Sequence, residues 1–219
     1  MSSRYQEWLN HVFDHEVTDK LPQWYYAEDA PVFETSDDEM TELISQTFLN
    51  AGKDLTKYTD AQVDQGIWYF ISSSSPSGSV FALKSPEVAL AIRIKAIKNI
   101  FFLYSDCYAK RCAETLGHLS EEGSALNSSC YMFWDICPIT YWEDAPDSTA
   151  MQDATLNVLG KILTIEHRAC REAALHGLSE IFYSRREDAQ KIIDRFLSKT
   201  KLDDKLLTYA QNAREGNVL

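Results

Sequence analysis

A chain of 219 residues with 45% hydrophobic and 12% aromatic side chains can close a full-sized core, which excludes overall disorder. Thirty-three Asp and Glu against 21 Lys and Arg leave a formal charge of −12, the wrong sign for a phosphate backbone, so no nucleic-acid partner is expected. Only 8 Gly and 6 Pro, all scattered, leave little material for a turn-rich β architecture, whereas good helix formers are plentiful.

From Met1 to Trp8 there is no uninterrupted apolar stretch of the kind a secretory signal needs, and the run Ile100 to Tyr104 is too short to cross a membrane. The expectation is a cytoplasmic protein without membrane association. Helix starts are legible where Ser or Thr precedes Glu or Gln by three positions, because each side chain can then satisfy the other's free backbone N–H. Ser3/Gln6, Ser36/Glu39, Thr59/Gln62 and Ser184/Glu187 have this spacing, and Ser85 before Pro86 adds another start. Apolar residues behind these signals recur with a helical period, as in Met40, Leu43, Ile44, Thr47 and Phe48, or Ile97, Ile100, Phe101, Tyr104 and Tyr108.

The predicted helices, in chain order, fall near 3–15, 37–50, 60–71, 86–112, 124–136, 148–165, 168–183, 185–199 and 203–214, with a break inside 86–112. Residues 16–36 form an irregular connection tied down by Trp24, Tyr25 and Tyr26. The serine run from Ser72 to Ser79 reads as a flexible surface loop over 73–79, dividing an N-terminal helical part, 1–72, from a helical-hairpin part, 80–219, within one compact domain. Leu126 to Pro138 is apolar on nearly every side and belongs to the core. Tyr141 to Asp147 is an exposed loop, with Asp147 or Ser148 capping the next helix. The cysteines, Cys107, Cys112, Cys130, Cys137 and Cys170, match neither a zinc knuckle nor a redox C-x-x-C and are expected to be reduced and mostly buried.

The charge is unevenly spread. Leu21 to Gly52 holds seven acids and no base, and Cys112 to Gly160 holds eight acids and no base, so the rest of the chain is slightly positive. The same two segments carry ten of the 26 aromatics. Carboxylates steer a basic partner and rings anchor it. The candidate partner-binding residues are therefore Glu28, Asp29, Asp37, Asp38, Glu39, Glu42, Glu121, Glu122, Tyr141, Trp142, Glu143, Asp144 and Asp147. The bases from Arg185 and Arg186 through Lys191, Arg195, Lys199, Lys201 and Lys205 are interleaved with acids and read as a solvated, salt-bridged helical face.

Chemistry is less legible. His11 and His15 share a helical face beside Glu16, but a further ligand is missing; His167 and His176 flank Cys170 without converging on it. The glycines build no phosphate loop and no serine sits in a nucleophile elbow. No catalytic residue, metal or cofactor is expected.

Arg93-x-x-Ala96-Ile97-x-x-Ile100 lines up with Arg171-x-x-Ala174-Leu175-x-x-Leu178, each followed by a second helical stretch. Over residues 86–112 and 148–214 this pattern resembles HEAT-like helical repeats. The resemblance implies an all-α fold of antiparallel helix hairpins with solenoid-like packing in the C-terminal part, presenting a surface to partners. In size, charge and compartment the chain also resembles the acidic immunity proteins that bacteria pair with intracellular toxins. That resemblance implies a non-catalytic inhibitor of a basic protein partner such as a nuclease toxin domain. A HEAT-like scaffold or adaptor, and an enzyme with a helical site built from His11, His15, Glu16, His167 or His176, are the alternatives.

Overall fold

In the computed structural model, which describes residues 3–18, 23–142 and 145–218, the all-α expectation holds: helices alternate with short turns, and no strand occurs among the described residues. Eleven α-helical segments are described: α1 Ser3–Phe13, α2 Asp37–Leu49, α3 Ala51–Asp54, α4 Asp60–Ile71, α5 Leu90–Phe102, α6 Ala109–Arg111, α7 Asn127–Ile136, α8 Ser148–Ile162, α9 Arg168–Glu180, α10 Phe182–Lys199 and α11 Asp204–Arg214. None is long and apolar enough to cross a membrane.

Thr59 and Gln62 form the full reciprocal cap of α4, and the Ser36 hydroxyl accepts the Glu39 N–H at the start of α2. Tyr5, Trp8, Leu9, Val12 and Phe13 form the buried stripe of α1, and the Trp8 indole N–H donates to Thr47 Oγ1 on α2 at 3.0 Å.

Two start signals are overridden. Ser85-Pro86 opens a turn, and α5 begins only at Leu90, because Val88 is buried and its carbonyl accepts from Arg93 Nε. Ser184 caps nothing; its hydroxyl donates to the Ile181 carbonyl, and α10 runs through this point with a kink at Arg185 (φ −137°, ψ 46°). The break expected inside 86–112 is a π-helical stretch, Leu103–Tyr108, joining α5 to α6. Its wider turn lets both Tyr104 and Tyr108 reach α7, where their hydroxyls donate to Cys130 O and Ser129 Oγ.

The serine run is not an open linker. Ser72, Ser75 and Ser79 are buried, Ser73 N donates to Ile136 O, and Ser77 Oγ donates to Tyr69 O. Successive hydroxyls accept the backbone N–H groups of Ser74, Ser77 and Ser79, which satisfies the segment internally. Gly78, at φ +61°, then turns the chain into the 3-10 segment Ser79–Lys84. One hydrophobic core runs through the residues on both sides of this segment.

The aligned Arg93 and Arg171 patterns mark the buried faces of two central helices: Ala96, Ile97, Ile100, Ala174, Leu175 and Leu178 are all fully buried. α5 packs on α2 and α8, while α9 packs on α7, α8, α10 and α11. A Cβ on Gly177 would lie 2.6 Å from Leu159 and 2.7 Å from Trp134, so this glycine sets the close approach of α9 to α8 and α7. The cysteines are free, four of them buried and Cys112 half-buried.

Candidate functional site

The acidic residues expected to form one face are divided by the fold. α2 and α5 run parallel: Asn99 Nδ2 donates to Ser45 O and Oγ, and a Cβ on Gly52 would meet Asp106, so the same sequence offset relates both contacts. Both helices therefore begin at one end of the molecule. At that end Thr41 Oγ1 donates to Ala82 O, fixing the 3-10 segment on α2, and Lys84 Nζ donates to Pro138 O and Tyr141 O. The first turn of α2, the 3-10 segment and the loop over 138–142 are thus successive neighbours.

On this end Asp37, Asp38 and Glu42 are exposed and make no ion pair among the described residues; Glu28 and Asp29, in the loop leading to α2, share that state. Exposed rings accompany them. Tyr141 is 67% exposed and Phe81 on the 3-10 segment 48%. Phe81 escaped the sequence reading because it lies outside both base-free segments.

Other candidates do structural work. Glu39 is held by Thr35 Oγ1 and pairs with Arg4 at 3.4 Å. The Asp147 carboxylate does not cap α8; it accepts from Arg93 Nη2, whose guanidinium is almost wholly buried. Trp142 is half-buried against the core with its Nε1 donating to Ile139 O. Glu121 pairs with Arg168 at 3.1 Å and Lys205 at 2.7 Å, and with the Leu116 N–H these hold its carboxyl down at about 2, Lys205 being the largest influence.

Glu121 and the exposed Glu122 also sit beyond the far end of the central helix. Arg93, which meets Asp147, and Arg111 are separated by 18 helical residues, a rise of roughly 27 Å. His167 Nε2 bonds Cys112 O there, next to the Arg168 that holds Glu121. The two base-free segments therefore do not make one continuous anionic patch. Glu143 and Asp144 lie outside the described residues.

The histidines separate in the same way. His11 Nε2 meets Tyr69 OH at 2.8 Å, His15 stacks on Trp24 at 3.8 Å, and burial, then His15, lowers the His11 pKa to about 4, so His11 stays neutral within an aromatic cluster. His118, absent from the sequence candidates, bonds the fully buried Glu172, which also accepts the N–H groups of Gly117 and His118. His176 is the one sequence candidate that joins carboxylates: Asp135, His176 and Glu180 each bring a ligand atom within 4.8 Å of the others, with His176 Nδ1 3.3 Å from Tyr209 OH. Such a set suits a divalent cation.

Comparison of the chain with protein-family models, with curated proteins and with solved structures returns no match.

Proposed function

We propose that this chain binds a positively charged protein through the end of the molecule where α2 begins, and that it acts there as an immunity-type inhibitor of a basic partner such as a nuclease. One observation carries the reading: Asp37, Asp38 and Glu42 are exposed and make no ion pair among the described residues, at the end of the molecule that also exposes the rings of Phe81 and Tyr141. Unpaired carboxylates attract a cationic surface at long range and speed association, while desolvated rings slow escape. A nuclease active site is cationic because its substrate is a polyanion, so carboxylates can occupy it. Glu39, Glu121 and Asp147 drop out of the docking set, since their charges are already matched within the chain.

The test is co-purification from the native host, followed by association kinetics of the recovered partner with the wild type and with Asp37→Asn/Asp38→Asn/Glu42→Gln. The expected partner is basic, loses its activity at stoichiometric inhibitor, and associates about tenfold more slowly with the triple variant at low salt. An association rate that ignores both salt and the three substitutions overturns the docking face; a captured partner that keeps full activity overturns the inhibitor role.

A further inference from the structure

The C-terminal bases do not form a uniformly salt-bridged face. α8, the start of α9 and α10 enclose a groove of about 970 Å³, at the upper end of the size range of small-molecule sites. Seven bases and three acids line it, a local excess of four positive charges in a chain of net charge −12. Lys161, Arg171, Arg195, Lys199 and Lys201 make no ion pair with any described carboxylate, although acids outnumber bases in the chain.

Two of the guanidinium groups carry a second signal. Arg171 Nε and Arg185 Nη1 are buried and have no hydrogen-bond partner. Arg185 already engages Asp153 and Asp188 through Nη2, and it occupies the non-helical position of α10. A desolvated guanidinium N–H left unpaired is unfavourable, and an incoming acceptor relieves it. Both residues line the groove from different helices, so a small shift of either side chain on binding an anion would give its buried N–H an acceptor. Apolar surface from Leu156, Ile192 and Phe196 lies alongside, with the Arg171 guanidinium 5.8 Å from the Phe196 ring centre.

We propose that this groove binds an organic phosphate of the nucleotide class. Its phosphates engage Arg171, Arg185 and the unpaired lysines, and its ring system lies on the apolar strip. Arg forks match phosphate oxygens bidentately, and the exposed Lys199 and Lys201 draw a multiply charged anion towards them. The groove is far larger than inorganic phosphate, so an attached body is part of the fit. The site lies along α8 from Asp153 onwards, away from the α2 end, and does not depend on the docking face.

The test is calorimetric titration of the full chain with ATP, AMP and pyrophosphate, together with a single-stranded oligonucleotide and a polyglutamate peptide. The expected order is ATP tightest, with AMP and pyrophosphate each weaker because one lacks charge and the other lacks the body. Lys199→Gln/Lys201→Gln, at exposed positions that leave the fold intact, should weaken ATP binding about tenfold and flatten its salt dependence. Arg171→Gln should weaken it further, and Lys95→Gln/Lys98→Gln on α5 should change nothing. Absence of binding by all three phosphates overturns the proposal, as does equal loss in the α5 pair. Pyrophosphate matching ATP overturns the role of the apolar strip. Tighter binding of the oligonucleotide or the peptide assigns the groove to a macromolecule instead.

Discussion

Glu172 has no exposed surface, yet its carboxylate accepts from two backbone N–H groups and from His118 Nδ1, which pins the 117–119 turn onto α9. Glu172→Ala should cost about 3 kcal/mol by stranding those donors, with Glu172→Gln milder, read as a fall in urea midpoint at constant slope. Asp64 makes the opposite use of burial. It accepts from Ser129 N at 2.7 Å, but desolvation still pushes its carboxyl up to about 6. A folded-state value above the unfolded one means that the native state holds the proton more tightly. This stabilisation is present in full below the unfolded value and is lost as pH rises through 6. The loss amounts to about 3 kcal/mol at this site. Asp64→Asn should remove that decline, seen as a flatter stability profile between pH 4 and 7.

At the scale of elements, helix existence was legible, and the starts of α2, α4, α8 and α9 fall where expected, although α8 and α9 carry no side-chain cap. Thr59 and Gln62 lie three residues apart and need nothing else, so their signal survives folding. The Ser85-Pro86 signal fails because Val88 and Arg93 take the chain elsewhere, and Ser184/Glu187 marks a kink instead of a start. The serine run is a loop, as its composition indicates, but the burial of Ser72, Ser75 and Ser79 and the pairing within it depend on turn geometry that composition does not record. Gly177 shows a further dependence that no periodicity records, since two neighbouring helices meet at its missing side chain. Gly177→Val should lower stability by about 3 kcal/mol through overpacking against Leu159 and Trp134, measurable as a drop in Tm of several degrees.

For the molecule as a whole, charge sorting determines which acids are available to a partner. The base-free segments were visible in the sequence, but Arg4, Arg93, Arg168 and Lys205 reach their acids from 35 to 84 residues away, a distance that composition does not encode. Structural and docking carboxylates should therefore respond to substitution with opposite signs. Asp147→Ala leaves the buried Arg93 guanidinium unmatched and should destabilise by about 3 kcal/mol. Glu42, by contrast, lies four residues beyond Asp38 on an exposed helical surface, where like charges repel by about 0.2–0.5 kcal/mol. Glu42→Gln should raise stability by that small amount in dilute buffer. The gain should fade as added salt screens the pair, while association with a basic partner slows. Chemical denaturation at low and high salt checks the first effect and stopped-flow mixing the second. A Glu42→Gln protein that is less stable at both salt concentrations would place this carboxylate among the structural ones and remove it from the docking face.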